Sequence, residues 1–221
     1  MATKFWGPLG WMTLHSISSI YPENPSREER VLLEKFVEMF RDCITCIHCK
    51  THFSNMLNKY KQSHPEWSSS RFDFFLFVCR AHNTVNRRLD KPIFPTIQSC
   101  IDRLKENTKV TTAAAYRNAY ISYLITNWSR EMSADGFINA DIAKRMKKIN
   151  DDYFSPRDTN FVNFSLSKDG DVLEFIQEDI RSFHVSPGIP NIGKVINQTN
   201  NKQIVLPKVG MRFVGGKLKI V

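Results

Sequence analysis

The sequence predicts a mainly α-helical protein: a four-helix bundle plus a short fifth helix, followed by a smaller mixed domain that is helical first and then built of short β strands. Three observations carry this expectation. Apolar residues recur at mixed spacings of three and four through the first half. Prolines and capping residues divide that half into helices of about 15–20 residues joined by short links. From residue 155 onward Asn, Asp, Ser, Pro and Gly become frequent, and the closing KQIVLPKVGMRFVGGKLKIV alternates around Gly215-Gly216, a hairpin signal.

In residues 9–21, Leu9, Met12, Ile17, Ile20 and Tyr21 follow helical spacing, and Pro22 and Pro25 end the run. Ser26 opens a second helix, with Glu29 three residues on completing a capping box. Its apolar face is Leu32, Leu33, Phe36, Val37, Met39 and Phe40. A third helix covers 43–62 and stops before His64-Pro65. A fourth covers 70–89 and carries Phe72, Phe74, Phe75 and Phe77. Asp90-Lys91-Pro92 and Pro95 turn the chain into a fifth, about 96–106. The polar stretch Lys105–Thr112 reads as a boundary, which sets domains at 1–108 and 109–221. Helices are expected over 112–132 and Asn139–Tyr153, and the stripe Tyr116, Tyr120, Tyr123 reads as a packing face within the chain, between domains or in a dimer.

The 221 residues, 42% of them hydrophobic, are enough for a real core. The net charge of +9 is spread over both halves, with 16 basic and 11 acidic residues in 1–109 and 15 and 11 in 110–221. That spread suits a solvated surface better than a nucleic-acid footprint. No run approaches the ~18 apolar residues of a membrane span, and no apolar signal region opens the chain.

Three of the five cysteines sit in CITCIHC, as Cys43, Cys46 and Cys49; the others are Cys79 and Cys100. A C-x-x-C at a helix start brings two sulfurs together across one turn, and the free N–H groups there stabilise a thiolate, the attacking species in disulfide exchange. Two other readings remain open from the cysteines alone. Cys43, Cys46 and Cys49 with His48 or His52 could hold zinc, or the cysteines could be part of an iron–sulfur site. All could also be buried structural thiols.

The surroundings of the cysteines decide between these. Residues 6–15 read WGPLGWMTLH, 46–53 read CIHCKTHF, and 79–92 read CRAHNTVNRRLDKP. In that order and spacing they resemble the Erv/ALR family of FAD-linked sulfhydryl oxidases, over about residues 5–105. The C-terminal extension looks like that of a member from a large DNA virus, of the mimivirus type. The resemblance implies an FAD-binding helical bundle in 1–108 that oxidises thiol-containing protein substrates and passes the electrons to O2 with release of H2O2.

It further implies Cys46 and Cys49 as the catalytic pair, with Cys46 exchanging with substrate and Cys49 facing the flavin. Gly7, Trp11 and His15 match the first flavin-binding segment. His82, Asn83, Val85, Asn86 and Lys91 match the second. Trp11 and His15 lie four apart on one helical face, and asparagines mid-helix are poor helix formers that suggest a polar task.

Cellular members pair the cysteine at the position of Cys79 with one where this chain has Thr96. Cys100 lies one turn further, so a Cys79–Cys100 structural disulfide is the possible substitute. Cys43 would be a spare thiol, a small buried residue, or a competitor for Cys46. The resemblance also implies a homodimer in the host cytoplasm, at a virus factory, or in the virion, with no resident metal, no nucleic acid and no membrane span. The rival function is a non-enzymatic zinc module that contacts nucleic acid.

Overall fold

The computed structural model describes residues 3–109, 111–157 and 161–177, and the strand segments 211–214 and 217–220. Among the described residues seven α-helices run in order: α1 Thr3–Ile20, α2 Arg27–Asp42, α3 Ile47–Ser63, α4 Arg71–Arg88, α5 Ile97–Asn107, α6 Ala113–Ser129 and α7 Ala134–Ile149. A single π turn, Asn150–Phe154, continues α7. The protein is thus mainly helical.

Local chemistry sets most helix starts. Ser26 Oγ accepts from the Glu29 N–H while the Ser26 N–H donates to the Glu29 carboxylate, the expected capping box. The Ser70, Thr96, Thr112 and Ser133 hydroxyls each accept from the backbone N–H three residues on and cap α4 to α7. Three helix starts differ from the sequence reading, α7 among them, which begins at Ala134 rather than Asn139. α1 begins at Thr3 rather than residue 9, with Pro8 inside it; that proline masks the early periodicity. α3 begins at Ile47 rather than residue 43, because Cys43 closes α2, its N–H bonding back to the Met39 carbonyl.

α1 is the central helix. Residues 12–21 are all buried, and α4 and α6 pack on it. Gly10 permits the approach of α2 and α6: a Cβ there would sit 3.4 Å from both the Phe40 and Tyr120 rings. Arg117, buried on α6, donates to the Ser16 hydroxyl on α1 and, at 2.9 Å, to Asn150 Oδ1. α7 in turn lies against α6 and α2.

The main core is aromatic-rich and includes Leu14, Phe36, Phe40, Phe53, Phe74, Phe77, Tyr120 and Leu124. A second cluster joins Met12, Phe75, Cys79, Cys100, Ile101 and Leu104 to Phe161 and Phe164. Among the described residues no helix is long and apolar enough to cross a membrane.

Contacts divide the chain into two compact units, 1–179 and 180–221. The boundary expected after residue 108 therefore falls inside the first unit. The polar stretch there is only a turn, since α6 and α7 return to bury Tyr120, Leu124, Trp128, Ala143 and Met146 in the same core as α1 and α2. In the second unit β1 (Met211–Val214) pairs antiparallel with β2 (Lys217–Ile220), Val214 opposite Lys217. Between residue 177 and β1, the strand-rich part expected of the mixed domain lies outside the described residues.

Gly10 makes a direct test of the central packing. Gly10→Ala should be neutral or stabilise by up to about 1 kcal/mol, since 3.4 Å is an ordinary contact and alanine favours helix. Gly10→Leu should destabilise by about 1–3 kcal/mol through overpacking. Denaturant melts of the two variants check both signs.

Candidate redox site

The link between α2 and α3 delivers the first half of the site. Asp42 ends α2, Cys43 and Ile44 are buried behind it, and Cys46 stands as the N-cap of α3. One turn of helix then places the Cys46 and Cys49 Cα atoms 5.2 Å apart, and the two sulfurs are bonded to each other. Both cysteines are half-buried against the main core. The Cys49 N–H donates to Cys46 Sγ at 3.3 Å. When the bond opens, that N–H and the positive end of α3 favour a thiolate on Cys46. The cap position thus places the main electrostatic lever on Cys46.

Cys43 takes no part in this pair. Its sulfur faces the Asn139 carbonyl of α7 at 3.5 Å, and burial pushes its thiol up to about 12. It is a buried, protonated side chain. With two of the three CITCIHC sulfurs bonded and the third turned into the core, these cysteines do not converge on a zinc centre.

A second cluster of the expected site residues forms where α1 meets α4. Trp11 and His82 stack with ring centroids 4.3 Å apart and planes within 4°. His15, one turn beyond Trp11, is buried and its Nε2 lies 3.1 Å from His82 Nδ1. Phe94 meets the edge of His82 at 5.2 Å. One turn before Trp11, Gly7 is open: a Cβ there would meet nothing within 4 Å. So one face of α1 passes from an open glycine, through a stacked indole, to a buried imidazole. Burial first, then the His15 and Lys91 charges, hold His82 well below the usual imidazole range. His82 is neutral at pH 7.

Asn83 and Asn86 organise backbone. The Asn83 amide donates to the Phe94 and Val172 carbonyls, both at 2.9 Å, and its oxygen accepts from the Phe94 N–H at 2.8 Å. Asn86 donates to the Pro92 carbonyl at 3.0 Å. The turn they hold ends α4 through Asp90, whose φ of 52° is left-handed. The Lys91 N–H bonds the Asn86 carbonyl at 2.8 Å and the Asp90 N–H the Arg87 carbonyl at 3.2 Å, a Schellman-type closure. Lys91 is left exposed beside the His82 face. Val85 is half-buried against the main core.

Behind the imidazoles lie Cys79 and Cys100, both buried and not bonded, with sulfurs 3.2 Å apart. His15 Nδ1 is 3.9 Å from Cys100 Sγ. Burial drives the Cys79 thiol well above its ordinary value. Among the described residues His15, Cys79 and Cys100 are the group that could offer metal ligands together; three donors fall one short of a structural zinc set.

Sequence reasoning missed Arg80. This buried guanidinium binds the Asp171 carbonyl at 2.8 Å, Tyr60 Oη at 3.1 Å and His64 at 3.0 Å, and pairs with Glu174. It straps residues 171–176 over α4, where the Val172 carbonyl meets Asn83. An arginine between Phe77 and His82 in an otherwise apolar run was the available signal.

The sequence pattern of the Erv1 / Alr family matches residues 9–108. The FAD-linked sulfhydryl oxidase of Oryza sativa subsp. japonica is 34% identical over 89 residues, which cover 40% of this chain and 44% of that protein. The FAD-linked sulfhydryl oxidase of African swine fever virus is 30% identical over 88 residues, 40% of this chain and 71% of its own length. A protein of Acanthamoeba polyphaga mimivirus is 26% identical over 121 residues, 55% of this chain and 83% of its own length. The chain belongs to the Erv1 / Alr family. It spans less than half the length of the plant relatives it matches.

The neutral His82 has a consequence for stability. Its folded pKa is depressed, so below about pH 6.5 the unfolded chain binds a proton that the folded chain refuses. Stability should fall as pH drops from 6.5, by up to about 1.4 kcal/mol per unit from this one group. His82→Phe, which keeps a ring against Trp11, should flatten that part of the profile; melting temperatures between pH 7 and pH 5 check it.

Proposed function

We propose that the protein is a thiol oxidase that uses FAD to form disulfides in protein substrates. The observation that carries this reading is the Cys46–Cys49 disulfide, bonded at a helix start within the family-matched region. A substrate thiolate attacks Cys46 Sγ; the Cys46–Cys49 bond breaks and Cys49 leaves as a thiolate. A second substrate thiolate attacks the substrate sulfur of the mixed disulfide and releases Cys46. The substrate has gained a disulfide, and the pair has gained two electrons and two protons.

The residues where α1 meets α4 suit a flavin. The stacked Trp11–His82 pair offers an aromatic wall, the Gly7 face is open, and exposed Lys91 supplies a cation for a diphosphate. Bound FAD would accept the two electrons from the reduced pair and hand them to O2, giving H2O2. His15 fixes the His82 ring through their shared hydrogen bond, and neutral His82 holds no competing charge there. Asn83, Val85 and Asn86 act by holding α4 and the 89–94 turn that carries Lys91.

Residues 1–108 are then the flavin-binding part. The remainder, with the terminal hairpin in a small unit of its own, positions partners. The working protein is a homodimer in the host cytoplasm, at a virus factory, or in the virion.

Two measurements test this. The purified protein should be yellow with flavin absorbance and should release H2O2 when given dithiothreitol. Cys49→Ser should keep the colour and lose peroxide release by at least about a hundredfold, whereas Cys43→Ser should stay within about twofold of the parent because that thiol is buried and protonated. A colourless protein that carries zinc would overturn the reading.

The Cys79–Cys100 bridge is a further part of the proposal. Peptide mapping without reductant should recover the two cysteines linked after aerobic turnover. Recovery of both as free thiols would remove the bridge.

A further inference from the structure

A cavity of about 420 Å³ opens between the α2–α3 link that carries Cys46 and α7. Thr45 and Ile47, the chain neighbours of Cys46, form one side. Ile138 and Asn139 of α7 form the other, and Glu131 and Asp135 stand on the rim. The volume takes two or three side chains, at the small end of ordinary ligand clefts. Ile47 is 68% exposed and Ile138 56%, and Met132, next to the rim in sequence, is 92% exposed.

The charge at the rim departs from that of the molecule. The chain carries +9 overall, but this cavity has three acids, Asp42, Glu131 and Asp135, and one base, Lys50. Asp42 is paired with Arg41, and the Lys50 amine is bound to the Asp42 carbonyl at 2.8 Å. Glu131 and Asp135, both exposed, have no cation among their described partners. Glu131 lies in the α6–α7 turn and Asp135 in the first turn of α7, both beyond the family-matched residues 9–108. Gly136 shapes that turn: a Cβ there would overlap the Glu131 carbonyl oxygen.

We propose that this groove is the docking site for a cysteine-bearing segment of the protein substrate, one with an apolar residue seated against Ile47 and Ile138 and a basic residue facing Glu131 and Asp135. The inference rests on the thiol-oxidase reading and adds the substrate's character to it. Adjacency to Cys46, the sulfur that meets the incoming thiolate, gives the groove its purpose. Charge complementarity selects a basic segment. A second copy of the chain does not suit the groove, because a two-fold contact centred here would set the same acids against each other.

The test uses the whole protein and a direct binding readout. The probe is a fluorescent peptide with leucine and lysine flanking a serine in the cysteine position, together with a twin in which glutamate replaces lysine. By fluorescence anisotropy the lysine peptide should bind about fivefold tighter than its twin at low salt. The double variant Glu131→Lys/Asp135→Lys should reverse that order. Ile138→Asp should weaken both peptides.

With cysteine restored, the same variants should raise KM for the lysine peptide and leave dithiothreitol turnover within about twofold. Equal binding of the two peptides, or an order that ignores the charge swap, overturns the docking site even if dithiothreitol is oxidised normally. Failure to oxidise dithiothreitol overturns the oxidase reading instead, and the anisotropy result still decides the groove. A dimer in sedimentation that Ile138→Asp dissociates would make this face a contact between copies and also overturn the proposal.

Discussion

The architecture depends on one helix buried on every side. From Met12 to Tyr21, α1 meets other side chains all round, so its polar groups must be satisfied without water. Thr13 donates to the Leu9 carbonyl, Ser18 to His15 and Ser19 to Ser16, each within the helix itself. Ser16 also receives the Arg117 guanidinium. Having settled its hydroxyls locally, α1 can give Gly10 and Ser16 to α6 and Trp11 and His15 to α4. The proposed flavin wall and the α6–α7 addition are thus two faces of the same rod.

That arrangement couples distant parts of the chain through rigid contacts. Trp128 of α6 donates to the Cys43 carbonyl at 2.9 Å, and Cys43 donates to Asn139 of α7. The Thr45 and Tyr123 hydroxyls meet at 3.3 Å. The link that carries Cys46 is therefore held between its own bundle and the two later helices. A C-x-x-C on a loose loop would spend conformational entropy each time its sulfurs closed; here the backbone is already placed.

Much of this was legible in the residues because the causes are local. The Ser26–Glu29 box, the prolines at 22 and 25, and the motifs around Cys46 and His82 each act within a few positions, and the helix order follows from them. Asn83 and Asn86 were legible as polar residues with a task, but their partners, the Pro92, Phe94 and Val172 carbonyls, lie across a turn and a distant segment. The same limit hid Arg80 and the strap it holds. The polar run at 105–112 read as a domain edge because polarity marks exposure, and exposure marks turns as readily as boundaries. What joined α6 to α1 was a glycine and a buried arginine, neither of which announces its partner.

The two imidazoles show how packing settles chemistry. His15 and His82 lie close enough that two positive charges would repel within a desolvated space, so the pair is stable only with His82 neutral. A neutral ring stacked on Trp11 leaves Lys91, at the closure of α4, as the cation beside that face. At the α2–α3 link, the N-cap position at the start of α3 supplies a fixed partial positive charge to Cys46. In the proposed reaction, negative charge arriving from a substrate thiolate would be met by backbone dipoles, and that on a flavin diphosphate by a single lysine. Because the two charges are met by separate elements, thiol exchange can proceed at one end without disturbing the protonation of the other.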